Sequence, residues 1–324
     1  MIVRDRLYGK IKIERGVVYD LIKSKSLQRL KKIDQAGYYF PYVKHKALKR
    51  FEHSVGCYYL LKKFNASPEE QIFGLIHDVS HTAFSHCIDY VFNYDGTEDY
   101  HDKTFKDFIL KKTDIPEILK KHNLDVSYII EEKNFPLQEK LLPDLCADRL
   151  DYSLRTFIMY GIAPRKEVLE ILEALRAEKG KWFFEDIKIA RKYARYFFLL
   201  NKRHYCEIRS VTMLKRVSDY LKYALQKGYI DKEYLYTDDE SVIKKVNKNL
   251  RKDKKLAALW EKMNNGRVLR QASKNYDAEI FCKSRVVDPL VKRNGRLVKL
   301  SSLDKRWKLR FKKESKSKLY WVKV

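Results

Sequence analysis

Four of the eight histidines in this 324-residue chain, His53, His77, His81 and His86, lie close together in sequence, and His101 follows soon after. The crowding has two centres. Arg50-Phe51-Glu52-His53 is the first, and the run from His77-Asp78 through His81 to His86 is the second. Neutral imidazole nitrogens and carboxylate oxygens gathered in one region suit a divalent first-row metal ion. Such an ion neutralises phosphate charge and acidifies water, so the chemistry it points to is phosphate-ester hydrolysis. A lone histidine is more often a hydrogen-bonded structural residue, and the weight rests on the cluster.

The elements that would position these residues can be read from periodicity. Leu48, Phe51, Val55, Tyr58 and Leu61 recur at helical spacing and predict an amphipathic helix over residues 45–64, with His53 near the border of its apolar face. Ser67 then supplies an N-cap, Pro68 the first helical position and Glu70 the third, a capping-box pattern. Ile72, Phe73, Leu75 and Ile76 bury this second helix, and His77-Asp78 emerge at its far end. A charged pair there is costly to bury unless something compensates it, and a metal ion would.

Further along, residues 142–160 read as one helix, closed by Gly161 and barred from continuing by Pro164. Asp148, Tyr152 and Arg155 share one face of it, while Leu150, Leu154 and Phe157 share another. A helix lining a polar cavity needs that division. The first 20 residues read as a small strand or hairpin and residues 17–37 as two short helices. Helices are expected across 103–142, 166–177 and 187–227, with a strand pair at 180–184. Beyond Gly228 the composition shifts: Lys244 to Lys255 is strongly basic, and stretches at 280–282, 285–287, 297–300 and 319–322 alternate as a small β element would.

Composition sets the outer bounds. A hydrophobic fraction of 45% is ordinary for a globular protein. No run is apolar for long enough to span a bilayer, and Met1 to Lys12 lacks an apolar signal core, so no membrane partner and a cytoplasmic location are expected. Five widely spaced cysteines without a Cys-x-x-Cys pair argue against a disulfide framework and read as buried thiols. With no cysteine expected at the histidine cluster, a structural zinc site is disfavoured. The net charge of +26 favours polyanionic partners, nucleotides and nucleic acid among them, although a lysine-rich solvated surface gives the same count.

The order His53, His77-Asp78, Asp148 resembles the ligand order of the HD-domain phosphohydrolase superfamily. Leu27-Gln28-Arg29-Leu30, Arg50-Phe51-Glu52-His53-Ser54, Phe84-Ser85-His86 and Asp148-Arg149-Leu150-Asp151-Tyr152 are similar to the dNTP triphosphohydrolases of that superfamily, over residues 1–225. The resemblance implies a mainly α-helical HD fold over residues 1–228; composition and alternation place a small, basic α+β region, packed on it, at 229–324. It implies one divalent metal ion held by His53, His77, Asp78 and Asp148, with manganese, iron, magnesium, zinc and nickel not distinguished, and a second magnesium accompanying the nucleotide. It further implies His81, His101 and Asp78 as catalytic residues and Arg50, Arg149, Tyr152, His86 and Gln28 as substrate contacts. The implied activity is hydrolysis of a dNTP to deoxynucleoside and triphosphate by a homo-oligomer.

Two departures stand out: Ser80 and Thr82 replace glycines usual in those triphosphohydrolases, and Thr156 stands where their vertebrate member has an aspartate near the sugar. Two other readings stay open. One is the same site acting on another nucleotide or a nucleic-acid end; the other is nucleic-acid binding by the basic carboxy-terminal region, with Trp260, Trp307 and Trp321 available for stacking.

Overall fold

The amino-terminal alternation folds into an antiparallel hairpin of β1 (Ile2–Asp5) and β2 (Gly9–Lys12). The computed structural model describes residues 1–43, 47–92 and 100–323. Helices dominate the next stretch of the chain: α1 (Val17–Lys23), α2 (Lys25–Arg29), α3 (Arg50–Lys63), α4 (Pro68–Ile76), α5 (Cys87–Val91), α6 (Tyr100–Lys112), α7 (Ile115–Lys121), α8 (Val126–Ile129), α9 (Ala147–Met159) and α10 (Arg165–Ala174). The hairpin of β3 (Leu175–Glu178) and β4 (Lys181–Phe184) leads into α11 (Ile187–Leu200), α12 (Ile208–Gln226), α13 (Asp239–Asn247) and α14 (Lys254–Asn264). The chain closes with β5 (Arg270–Gln271), β6 (Ala278–Cys282), β7 (Leu290–Arg293), β8 (Arg296–Lys299), α15 (Leu300–Leu303), α16 (Lys305–Glu314) and β9 (Lys318–Lys323). This is the expected mainly α fold with a small carboxy-terminal α+β part.

Several boundaries differ from the expected ones, each for a local reason. Helix α3 begins at Arg50 because Lys49 is extended and bridges Asp34; the predicted start at His45 lies outside the described residues. Helix α9 begins at Ala147 rather than 142, since Cys146 is extended and Pro143 lacks the N–H a helix interior needs. Helix α10 stops at Ala174, and residues 175–178 pair as a strand with β4. The predicted helix over 187–227 is broken by a π-helical turn at Asn201–Tyr205, a distortion common where side chains must be re-aimed at a site. Residues 285–287 are not a strand; Val286 and Val287 are buried in an irregular segment.

Helix α4 starts as predicted, with the Ser67 hydroxyl accepting the Glu70 N–H at 3.1 Å. The capping box is only half made. The Glu70 carboxylate accepts the N–H groups of Leu137 and Gln138 at 2.5 and 3.0 Å, tying α4 to the segment leading into α9. Helix α3 packs against both α4 and α9, so three helices converge behind the histidines.

The segment between His77 and His86 is a tight, irregular turn. Phe84 and Ser85 adopt left-handed backbone at φ 62° and 46°, while Ser80 and Thr82 do not, so the missing glycines impose no left-handed strain at those positions. Buried Asp239 fixes the turn: its two oxygens accept the N–H groups of Phe84 and Asp34, each at 2.8 Å. Arg29 helps from outside, donating to the carbonyls of Val79, His81 and Thr237.

Residues beyond 228 pack into the same cores as those before. Strand β7 lies parallel to β4 in the sheet β3-β4-β7-β8, and Ile230 and Leu235 join a cluster with Ala83 and Phe84. Trp307 is buried in the cluster that holds the apolar face of α9 and is therefore not available for stacking; Trp260 is half-buried near Tyr220. Among the described residues no helix is long and apolar enough to cross a membrane. Asp239→Asn turns one of two acceptors into a donor facing a buried N–H. Urea unfolding is expected to show a loss of about 2 kcal/mol; an unchanged midpoint would show that the turn does not depend on this carboxylate.

Candidate metal centre

His53 projects from α3 and is fully buried, not at the border of an apolar face. Its Nδ1 lies 2.7 Å from Asp151 Oδ2 and its Nε2 2.9 Å from Asp148 Oδ1. His77, at the carboxy-terminal cap of α4, donates Nδ1–H to the Gly74 carbonyl at 2.9 Å, which turns the Nε2 lone pair inward. That Nε2 is buried without a hydrogen-bond partner and stands 3.5 Å from both Asp78 Oδ1 and Asp148 Oδ1. Asp78 Oδ2 is 4.0 Å from His53 Nε2. Ligand atoms on bonds of roughly 2.0–2.2 Å sit about 3 to 3.5 Å apart around one cation. The spacings of 2.9 and 3.5 Å that separate Asp148 Oδ1 from the Nε2 atoms of His53 and His77 fit a single divalent ion, and the orphaned His77 nitrogen is the atom that calls for one.

Electrostatics agree. Burial opposes ionisation of Asp78, but Arg50, His77 and His81 outweigh it and hold its carboxyl well below the usual range. Burial likewise opposes ionisation of Asp148, but the adjacent His53 and His77 rings outweigh it and hold its carboxyl below the usual range. Cys57, one turn after His53 on α3, is a neighbour that sequence spacing did not bring to notice. Its Sγ lies 3.7 Å from His53 Nε2, so a cysteine does stand at the cluster, and it falls within the set of groups close enough to share an ion. Burial pushes its thiol up to about 12, which disfavours the thiolate a metal bond requires. Asp78, the fourth ligand expected from the sequence, is not in that set; its carboxylate meets Arg50 at 2.7 Å.

Behind the shell lies a chain of buried partners. Asp151 accepts from His53 Nδ1–H, from the Tyr8 hydroxyl at 2.9 Å and from Arg155 Nε at 2.7 Å, and Arg155 Nη2 meets Asp5 at 2.8 Å. A carboxylate on the far nitrogen of a metal-binding histidine fixes its tautomer and orientation. Arg155 thus faces away from the cavity, not along the row of Asp148 and Tyr152. Asp151 thus joins His53 to Arg155. The spacing of Asp151 and Arg155, four residues apart, was the available signal. Gly56 makes room for the pair, because a Cβ there would sit 2.1 Å from both Arg155 Nη2 and Asp151 Oδ1.

The shell opens on a cavity of about 730 Å³, within the range of small-molecule sites. His77, Asp78, His81, His86, His101, Asp148, Arg149, Tyr152 and Arg50 all line it. His81 and His101 stack at 3.7 Å with rings 22° apart, and His86 closes a triangle with them at 5.3 and 5.7 Å. Burial first, then Arg50 and His101, hold His81 well below the ordinary histidine range. Tyr205 and His204, brought in by the π-helical turn, and Arg285, from the carboxy-terminal region, complete walls that sequence reading did not foresee.

Gln28 is not in the cavity. Its carboxamide donates to the Ile22 carbonyl and accepts from Lys31, because the second turn of α2 faces it outward. The two arginines reach the cavity but are largely spent inside the protein. Arg50 meets Asp78 at 2.7 Å, Ser85 at 2.8 Å and the Gln35 carbonyl at 3.4 Å. Arg149 donates to the carbonyls of Lys140 and Asp144 and leaves Nε buried without a partner.

A family model described as "HD domain" matches residues 50–156, the stretch from Arg50 through Asp148 to Thr156. The chain is 33% identical to the uncharacterized protein YdhJ of Bacillus subtilis across 94% of its own length and 93% of that protein's. It is 30% identical to "Metal-dependent phosphohydrolase cns2" of Cordyceps militaris, covering 73% of this chain and 70% of the relative. A Dictyostelium discoideum protein named "Deoxynucleoside triphosphate triphosphohydrolase SAMHD1 homolog" is 27% identical across 49% of this chain and 36% of the relative. Among solved structures, a phosphohydrolase from Bacteroides thetaiotaomicron superposes with a TM-score of 0.74 over all of both chains at 18% identity, a likeness of fold.

Asp151→Asn, which removes the carboxylate behind His53, is expected to weaken divalent-metal affinity by about 10- to 100-fold in a chelator-competition titration of the folded protein. Affinity equal to wild type would show that the buried chain does not orient the ligand.

Proposed function

The chain belongs to the HD-domain family of metal-dependent phosphohydrolases, and on that premise we propose that it hydrolyses a deoxynucleoside triphosphate to the deoxynucleoside and triphosphate. The observation that carries the reading is the buried, unpartnered Nε2 of His77, set between Asp78 and Asp148 at the cavity wall. His53, His77, Asp78 and Asp148 would hold the ion. Bound there, it acidifies a water and neutralises charge on the phosphate under attack.

The chain's own groups divide the remaining work. Arg50 positions Asp78 through its 2.7 Å contact. Arg149 lines the cavity on the phosphate side, its guanidinium held by the carbonyls of Lys140 and Asp144. His81 and His101, stacked at 3.7 Å, flank the phosphate, and one of them hands a proton to the leaving ribose oxygen. Water oxygen bonds to the α-phosphorus as the bond from phosphorus to that ribose oxygen breaks. Tyr152 and Tyr205, with ring centroids 6.1 Å apart, form a wall suited to the sugar, and Thr156 stands beside them with its hydroxyl 3.3 Å from that of Tyr205. The resemblance to dNTP triphosphohydrolases and the name of the Dictyostelium relative support the choice of substrate.

The test is incubation with each dNTP and NTP in manganese or magnesium, with chromatography of the products. Nucleoside and triphosphate are expected, and chelation is expected to abolish turnover. His77→Ala is expected to lower kcat/KM by at least about 10²-fold, since a metal's charge stabilisation is worth several kcal/mol. Release of monophosphate or pyrophosphate would contradict attack at the α-phosphorus and favour another substrate for the same site.

A further inference from the structure

The carboxy-terminal surface carries a second functional feature, separate from the cavity. Helix α16 is anchored by Trp307, buried in the core, and turns a row of cations outward: Lys305, Arg306, Lys308, Lys312 and Lys313 are all exposed. None of these side chains enters an ion pair among the described residues. Lys63, Lys106, Lys112 and Lys292, by contrast, each meet a carboxylate within 3.2 Å. The acids at the ends of α16 do not offset the row: Asp304 caps the helix and pairs with Arg191, and Glu314 closes the last turn.

The row runs into an exposed apolar and aromatic face. Strand β9 starts just beyond α16 and is the centre of the sheet β5-β9-β6, whose opposed residues share a face. Its outer side carries Leu319, at 41% exposure, and Trp321, at 37%, with Tyr276 6.2 Å from the Trp321 ring and 43% exposed. Glu279 sits between the two aromatics and accepts from both the Tyr276 hydroxyl and Trp321 Nε1. Arg270 and Lys323, directly opposed in register, end the same face with positive charge.

We propose that α16 and the outer face of this sheet form a docking site for single-stranded nucleic acid, phosphates along the helix and a base against Trp321. Unpaired cations beside an exposed aromatic supply the two interactions sequence-tolerant single-strand binding uses. A second copy of the chain fits less well, because a like face would bring the same unpaired cations together. The site does not depend on the reaction assigned to the cavity.

Fluorescence anisotropy with a labelled oligothymidylate of about 16 nucleotides, titrated over roughly 50 to 200 mM salt, tests it. Binding is expected to weaken with salt with a log–log slope of about −3, corresponding to four or five phosphate contacts. Lys308→Glu with Lys312→Glu, one turn apart on the exposed face, is expected to cost about tenfold or more and to flatten the slope by about 1. Oligonucleotide should quench tryptophan emission in wild type but not in Trp321→Phe, which keeps a ring for stacking. His77→Ala should bind like wild type. No binding at the lowest salt, or equal affinity in the charge-reversed variant, overturns the proposal. So does a charge-dependent preference for phosphatidylserine vesicles over oligonucleotide, or a dimer in sedimentation that the same charge reversal dissociates.

Discussion

Carboxylates withdrawn from water have to be neutralised where they stand, and the centre of this molecule is built to meet that demand. Asp151 and Asp5 share Arg155, and Asp78 takes Arg50. Asp148 differs: it faces two histidine nitrogens, and the nearby Arg149 guanidinium reaches Glu139 instead, at 3.8 Å. The neutralisation left incomplete there suits a divalent ion. The packing of α3 against α9 follows from this arrangement, since Gly56 on α3 lets the Asp151–Arg155 pair lie against the helix carrying His53.

Much of the centre was legible because it is written in residue type and in local signals. Ser67 and Pro68 announced α4, and the length of its apolar run placed His77-Asp78 at the end of it. What could not be read is which way long or buried side chains turn. Periodicity put Arg155 on the face of Asp148 and Tyr152, yet its guanidinium reaches past that face to Asp5, at the far end of the sequence, a partner no local pattern reveals. Arg50 and Arg149 looked like phosphate clamps; tertiary packing uses most of their donors on Asp78 and on loop carbonyls. Gln28 stood in a recognisable motif and still faces outward, and Cys57, legible only as a buried thiol, stands beside His53.

The carboxy-terminal region shows the same limit. Its alternating stretches marked β6, β8 and β9, but not that β7 would join the distant β4 or that Arg285 would line the cavity. Three tryptophans looked equivalent in sequence; burial leaves Trp321 as the most exposed of them. The π-helical turn at Asn201–Tyr205 is a further case, an irregularity inside a continuous helical pattern that aims His204 and Tyr205 at the substrate space.

The most direct test of the metal centre is anomalous X-ray diffraction from crystals grown with manganese. A single anomalous peak is predicted at about 2.0 to 2.4 Å from His53 Nε2, His77 Nε2 and carboxylate oxygens of Asp78 and Asp148. A peak bonded to Cys57 Sγ in place of Asp78, a peak between Glu139, Cys146 and Asp148, or no peak at all would contradict it.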